Sequence, residues 1–193
     1  MDRVRDYMYY ADNDYLYATG TFEQCSYDYN VPAYLLAQAG EKYMKAVVEV
    51  LPKTAESLSM LRSHNLRALF NYISKHEKLP VSSMECKWLG DFYYDARYHG
   101  DDTVVVSRED VVQCIDIATK LRDFSKNIIH KLTVNTNDSV KESMLQFASE
   151  SGISYEALCD DVSNAMPSLL KTGDVENDAI SYWEKWISER KSV

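Results

Sequence analysis

Apolar residues along this chain recur at intervals of three and four, the period of helices that bury one face. Val4, Tyr7, Met8, Ala11, Tyr15 and Ala18 predict a first helix over about Asp2–Ala18, with Gly20 as its stop. Asn30-Val31-Pro32 opens a second, because a proline in the first turn gives up only an N–H that has no partner there. Leu35, Leu36, Ala39, Tyr43, Ala46, Val47 and Val50 make its apolar side, and Pro52 ends it. A shorter helix around Arg62–Lys75 carries Leu66, Leu69, Phe70 and Ile73. Ser82-Ser83-Met84-Glu85 has the pattern of a capping box and opens a helix to about Tyr98.

A turn at His99–Asp102 and a short extended stretch, Thr103–Val106, should follow. Ser107-Arg108-Glu109-Asp110 caps the next helix, whose core side is Val111, Val112, Ile115, Ala118, Leu121, Phe124 and Ile128, ending near Leu132. Lys131–Asn137 is polar and poor in helix formers, which predicts a linker. Beyond it, Ser139-x-x-Glu142 should cap a helix to about Glu150 that Gly152 breaks. Ser154 should cap a helix into the 160s that Pro167 stops, and Asp174 a last one with Ile180, Trp183, Trp186 and Ile187. The expected fold is therefore all-α: an antiparallel up-and-down bundle of about five helices over 1–132, then an acidic helical extension over 138–193 packed on the bundle or a partner.

Composition agrees. Only 6 Gly and 4 Pro in 193 residues argue against a turn-dense β fold. The net charge of −9 opposes generic DNA or membrane-surface binding, which needs a basic field. Residues 135–193 are the more acidic part, with 5 Lys/Arg against 11 Asp/Glu. Ala148, Gly152, Ile153 and Leu158 match helix-turn-helix spacing, but Glu156, Asp160 and Asp161 on the would-be recognition helix repel phosphate, so no DNA is expected. Cys25, Cys86, Cys114 and Cys159 are dispersed without ligand spacing, so no metal is expected and reduced thiols in a cytoplasmic protein are. No apolar run approaches the roughly 18 residues of a membrane span, and the N-terminus lacks the apolar stretch of a leader.

Four segments in order resemble the HEPN domain family. Tyr10-Ala11-Asp12-Asn13-Asp14-Tyr15 is similar to its first-helix stretch centred on A-x-x-D, and Gln38-Ala39-Gly40-Glu41-Lys42-Tyr43-Met44-Lys45-Ala46 to its A-Q-x-x-E-K-x-x-K-A helix. Ser63-His64-Asn65-Leu66-Arg67-Ala68-Leu69 resembles a T-H-D-L-x-x-L helix start, and Phe92–Asp101 a Y-Y-x-x-x-R-Y-P-x-D segment. The resemblance spans roughly residues 3–130. It implies a helical bundle, often a homodimer, associated with nucleotide or RNA binding and with a nucleotidyltransferase partner in toxin–antitoxin-like pairs. Many wider relatives are metal-independent ribonucleases with an Arg-x4–6-His motif. Arg122 and His130 are eight apart and Arg97 and His99 two apart, so that spacing is missing and no catalytic residue is assigned.

The candidate ligand-binding residues are Gln38, Lys42, Lys45, His64 and Arg97. Gln38, Lys42 and Lys45 share one side of the second helix, where a lysine could meet a phosphate and Gln38 a base. The plainer reading of the same helix is an exposed Glu41–Lys45 pair with Gln38 packed at an edge. Arg97 either neutralises helix-end carbonyls or offers a guanidinium fork to phosphate. His64 has a suitable ring for acid–base work but no nucleophile at a telling spacing. No cofactor is expected. The function expected is a non-catalytic protein binding a nucleotide, RNA or a nucleotidyltransferase; the alternatives are a divergent ribonuclease toxin and a purely structural helical partner.

Overall fold

A computed structural model describes residues 3–24, 28–95 and 105–190, and every regular element among them is helical. The chain divides into two compact units, Met1–His130 and Lys131–Val193.

In the first unit, α1 (Arg3–Gln24) and α2 (Asn30–Val50) pack along their length. Their pairings run in opposite senses, Arg3 with Glu49, Asp12 with Tyr43 and Asp14 with Lys42, so the helices are antiparallel. The short helices α3 (Ala55–Arg62) and α4 (Leu66–Ile73) come next, then α5 (Ser83–Asp95) and α6 (Arg108–Ser151). The N-terminal half of α6 is antiparallel to α1, with Arg108 over Phe22, Thr119 bonded to Tyr15 and Arg122 to Asp12. α2 is the central helix: Leu36, Ala39, Tyr43, Met44 and Val47 are fully buried. Gly40 sits where α2 meets three neighbours, because a Cβ there would lie 3.0 Å from Leu89, 3.3 Å from Leu121 and 3.4 Å from Leu66 side-chain carbons.

Local signals set most boundaries. Ser82 and Glu85 form the reciprocal capping box, as do Ser107 and Asp110. Gly152 ends α6 at φ +70°, with Ile153 N–H donating to the Ala148 carbonyl, a Schellman closure that needs the left-handed conformation.

Four expectations change. α1 runs past Gly20 to Gln24, since that glycine keeps a helical φ and Phe22 beyond it packs on Tyr29. The segment 55–75 holds two helices, because Thr54 and Ser57 cap α3 reciprocally and Asn65 starts α4 afresh by accepting from Ala68 N–H. Lys131–Asn137 is no linker but part of α6. Without Gly or Pro, its β-branched residues cost only a few tenths of a kcal/mol each, too little to open a helix. Ser139 therefore lies inside α6 and caps nothing. The short extended stretch is described only at Val105 and Val106, which are irregular; the His99–Asp102 turn lies outside the described residues.

The second unit packs the C-terminal part of α6 with α7 (Tyr155–Ala165), a 3-10 turn at Ser168–Leu170 and α8 (Val175–Arg190). Its core is Met144, Ala148, Leu158, Val162, Ala179, Tyr182, Trp183 and Trp186. Trp183 stacks on Trp186 at 5.4 Å and Phe147 meets both rings edge-on. The buried Asp178 carboxylate accepts from Thr172 N–H, Thr172 Oγ1 and Gly173 N–H, which holds its carboxyl below the usual range and fastens the turn before α8. Among the described residues no helix is long and apolar enough to cross a membrane.

Candidate functional site

The polar side chains of α2 leave it on two flanks. Toward α1, Lys42 is paired with Asp14 and also donates to Gln38 Oε1 at 3.1 Å. Two residues before Asp14, Asp12 gathers three donors: Tyr43 Oη to Oδ1 at 2.6 Å, Arg122 Nε to Oδ1 at 2.9 Å, and Lys126 Nζ 3.5 Å from Oδ2. The Arg122 guanidinium lies 5.1 Å over the Tyr15 ring. Thr119 Oγ1 spends its hydrogen on the Ile115 carbonyl, so the Tyr15 hydroxyl donates to Thr119.

Partial burial raises the Asp12 pKa, but the Tyr43 hydrogen bond and the Lys126 and Arg122 charges outweigh it and leave the carboxyl below its ordinary value. Burial and the same carboxylate push the Tyr43 phenol upward, so it remains the proton donor. A depressed native pKa contributes stability above the unfolded value, about 3.9, and loses it as pH falls through the native one. Asp12→Asn is therefore expected to melt lower than wild type at pH 7 and to converge with it below about pH 3. Thermal melts across pH check this; a gap that persists in acid would show that the charge is not what stabilises.

On the other flank Glu41, with its side chain only 8% exposed, bridges two partners. Its Oε1 accepts from Lys45 Nζ at 2.8 Å, and His64 Nδ1 lies 3.1 and 3.2 Å from its two oxygens. A carboxylate only accepts, so Nδ1 carries a hydrogen and Nε2 is left toward solvent. The pair expected on the surface is thus buried, because α2 lies at the centre of its unit. His64 stacks on Tyr93 of α5 at 5.7 Å and 14°, and Tyr93 in turn lies 5.8 Å from Tyr34.

His64 also lines a 230 Å³ cavity with Asn65, Leu66, Arg67, Cys86, Lys87, Gly90 and Asp91. Gly90 allows this closeness: a Cβ there would stand 3.5 Å from the Leu66 Cβ and 3.9 Å from its backbone nitrogen. Lys87 is paired with Asp91 at 2.7 Å, whereas Arg67 has no carboxylate partner among the described residues. The cavity's sulfur, Cys86, is buried and its thiol pushed up to about 12, so it stands there as a neutral thiol.

The structure therefore joins Gln38 to Lys42, and Lys45 to His64 through Glu41, but on separate flanks. Arg97 lies outside the described residues. Arg67 and the Asp12–Tyr43–Arg122 group escaped the sequence reading. Arg67 was visible only as a cation in a first helical turn, and the Asp12–Arg122 pairing spans 110 positions. Arg122 and His130 stand eight residues apart on one helix, a rise of about 12 Å.

Comparison with known proteins gives a match of the model for the HEPN domain to residues 4–128. No curated protein matches the chain. Among solved structures, the crystal structure of TT1696 from Thermus thermophilus is similar with a TM-score of 0.55 and 20% identity, over 66% of this chain and 99% of that one. That likeness is one of fold.

Proposed function

The chain belongs to the HEPN domain family through residues 4–128, and on that premise we propose that it is a non-catalytic binding protein for a nucleotide or a short stretch of RNA. Its protein partner in this reading is a nucleotidyltransferase, in a toxin–antitoxin-like pair. The ligand's phosphate is taken up at the cavity between α4 and α5. The observation that carries the reading is Arg67. Lys42, Lys45, Lys87, Arg122 and Lys126 are each matched to a carboxylate, while Arg67 on the cavity rim has no carboxylate partner among the described residues. A guanidinium fork suits a phosphate, and the exposed His64 edge offers a neighbouring donor or stacking surface. Cys86, held as a neutral thiol, gives the cavity no ready nucleophile, which supports binding over chemistry.

Titration of the full chain with adenosine nucleotides and a labelled short RNA tests the proposal. Wild type should bind, and Arg67→Ala should bind at least about tenfold more weakly, the loss of one charge-assisted contact. Lys42→Ala, whose lysine is already matched to Asp14, should change affinity little. Equal binding by wild type and Arg67→Ala, or none by either, overturns the reading.

A further inference from the structure

The shape of the cavity between α4 and α5 limits what a phosphate lodged in it can be attached to. Its volume is 230 Å³, below the roughly 300–1,000 Å³ that encloses a drug-sized ligand. A phosphate and part of its sugar fit, and a base stays outside. The inner wall is closed. Leu66 is 1% exposed and Cys86 fully buried. Gly90 brings α5 so near α4 that a Cβ there would touch the Leu66 Cβ at 3.5 Å. A chain that enters from the rim has no way out on the far side.

The donors at the rim suit a group with several free oxygens. Leu66 and Arg67 are the first two residues of α4, where amides have no intrahelical carbonyl to meet. Asn65 takes the next two amides: its Oδ1 accepts from Ala68 N–H at 3.0 Å and its carbonyl from Leu69 N–H at 3.1 Å. The Arg67 guanidinium, with no carboxylate partner among the described residues, adds a planar fork to the positive end of that helix. Across the cavity Lys87 and Asp91 hold each other at 2.7 Å, so their charges cancel.

A phosphodiester inside a chain carries one negative charge and continues at both ester oxygens. A terminal phosphomonoester has three free oxygens, about 1.5–2 negative charges at pH 7 and a single attachment. Only the second can enter a closed cavity with its charge foremost. We propose that the cavity between α4 and α5 binds a terminal phosphomonoester, carried at one end of an RNA or on a mononucleotide, and rejects phosphodiester links within a chain. This inference rests on the reading that a phosphate enters this cavity, and adds which phosphate it is. The net charge of −9 works against any gain from general attraction, so a preference for the more charged end must come from this site.

Titration of the full chain with one short, internally labelled RNA in three forms tests it: 5′-phosphate, 3′-phosphate, and hydroxyl at both ends. Adenosine monophosphate and adenosine are compared alongside by calorimetry. At least one phosphate-bearing RNA should bind about tenfold or more tighter than the hydroxyl form, the effect of a charge-assisted contact, and the tighter one names the end that is read. The monophosphate should exceed adenosine by the same factor. Arg67→Ala removes an exposed side chain at little cost in stability, and should bring the three RNA forms to similar affinity. Three forms bound equally by wild type, yet weakened together by Arg67→Ala, overturn the terminal-phosphate proposal while the ligand reading stands. A phosphate preference that survives Arg67→Ala places the end elsewhere and overturns it as well. No binding by any RNA or by the mononucleotide sinks both.

Discussion

Replacing Lys45 with Met will destabilise the first unit by about 3–5 kcal/mol, read as the change in unfolding free energy from urea titration. The reason lies in burial. The side chains of Lys45 and Glu41 are 6% and 8% exposed, so the substitution strands a carboxylate where water cannot solvate it. His64 Nδ1 remains as a single donor to Glu41, from a ring that is itself more than half exposed. Two comparisons make the result specific. Glu41→Leu/Lys45→Met removes both charges together and should recover most of the loss, because the desolvation cost disappears with the attraction. Lys42→Met removes a lysine whose pair with Asp14 is 20–25% exposed, and should cost about 1 kcal/mol or less. If Lys45→Met costs no more than Lys42→Met, the Glu41–Lys45 pair is not buried in solution.

The second large effect belongs to the other unit. Trp183→Ala is expected to cost about 3–5 kcal/mol of that unit's stability, measured by thermal or urea melts followed by far-UV circular dichroism. Trp183 is 4% exposed, stacks on Trp186, meets the edge of Phe147 and donates its indole N–H to Ser143 Oγ at 3.3 Å. Its loss leaves a cavity beside two aromatic rings in a unit of only 63 residues, where a single core has little to spare. Leu169 is the control: at 99% exposure in the 3-10 turn, its truncation to Ala should stay within about 0.5 kcal/mol of wild type. Similar melts for the two variants would mean that the tryptophans do not form a core.

The secondary structure was largely legible because its signals are local. The three-and-four spacing of Leu66, Leu69 and Ile73, the boxes at Ser82 and Ser107 and the stop at Gly152 act over one helical turn. The same reliance on local signals explains the misses. Gly20 and the Thr-rich stretch after Leu132 look like breaks to a reader of propensities, yet each costs less than continuing the helix gains. The Thr54–Ser57 box that opens α3 uses serine in the position usually held by Glu or Gln, and so passed unnoticed.

The site divides in the same way. From the sequence alone come an all-helical chain, membership in a helical family over the first two-thirds, and an α2 on which Gln38, Glu41, Lys42 and Lys45 recur three and four residues apart. Helical geometry fixes all of that among residues three and four apart. Which of those charges is matched, and by what, was decided by packing. Lys42 meets a carboxylate 28 positions away, Arg122 one 110 positions away, and Glu41 a histidine from the start of α4. Only the packed bundle makes Lys45 an interior charge and sets Arg67 at a cavity without a carboxylate partner among the described residues. Burial and pairing are properties of neighbours brought together from distant parts of the chain, and a helical period says nothing about who those neighbours are.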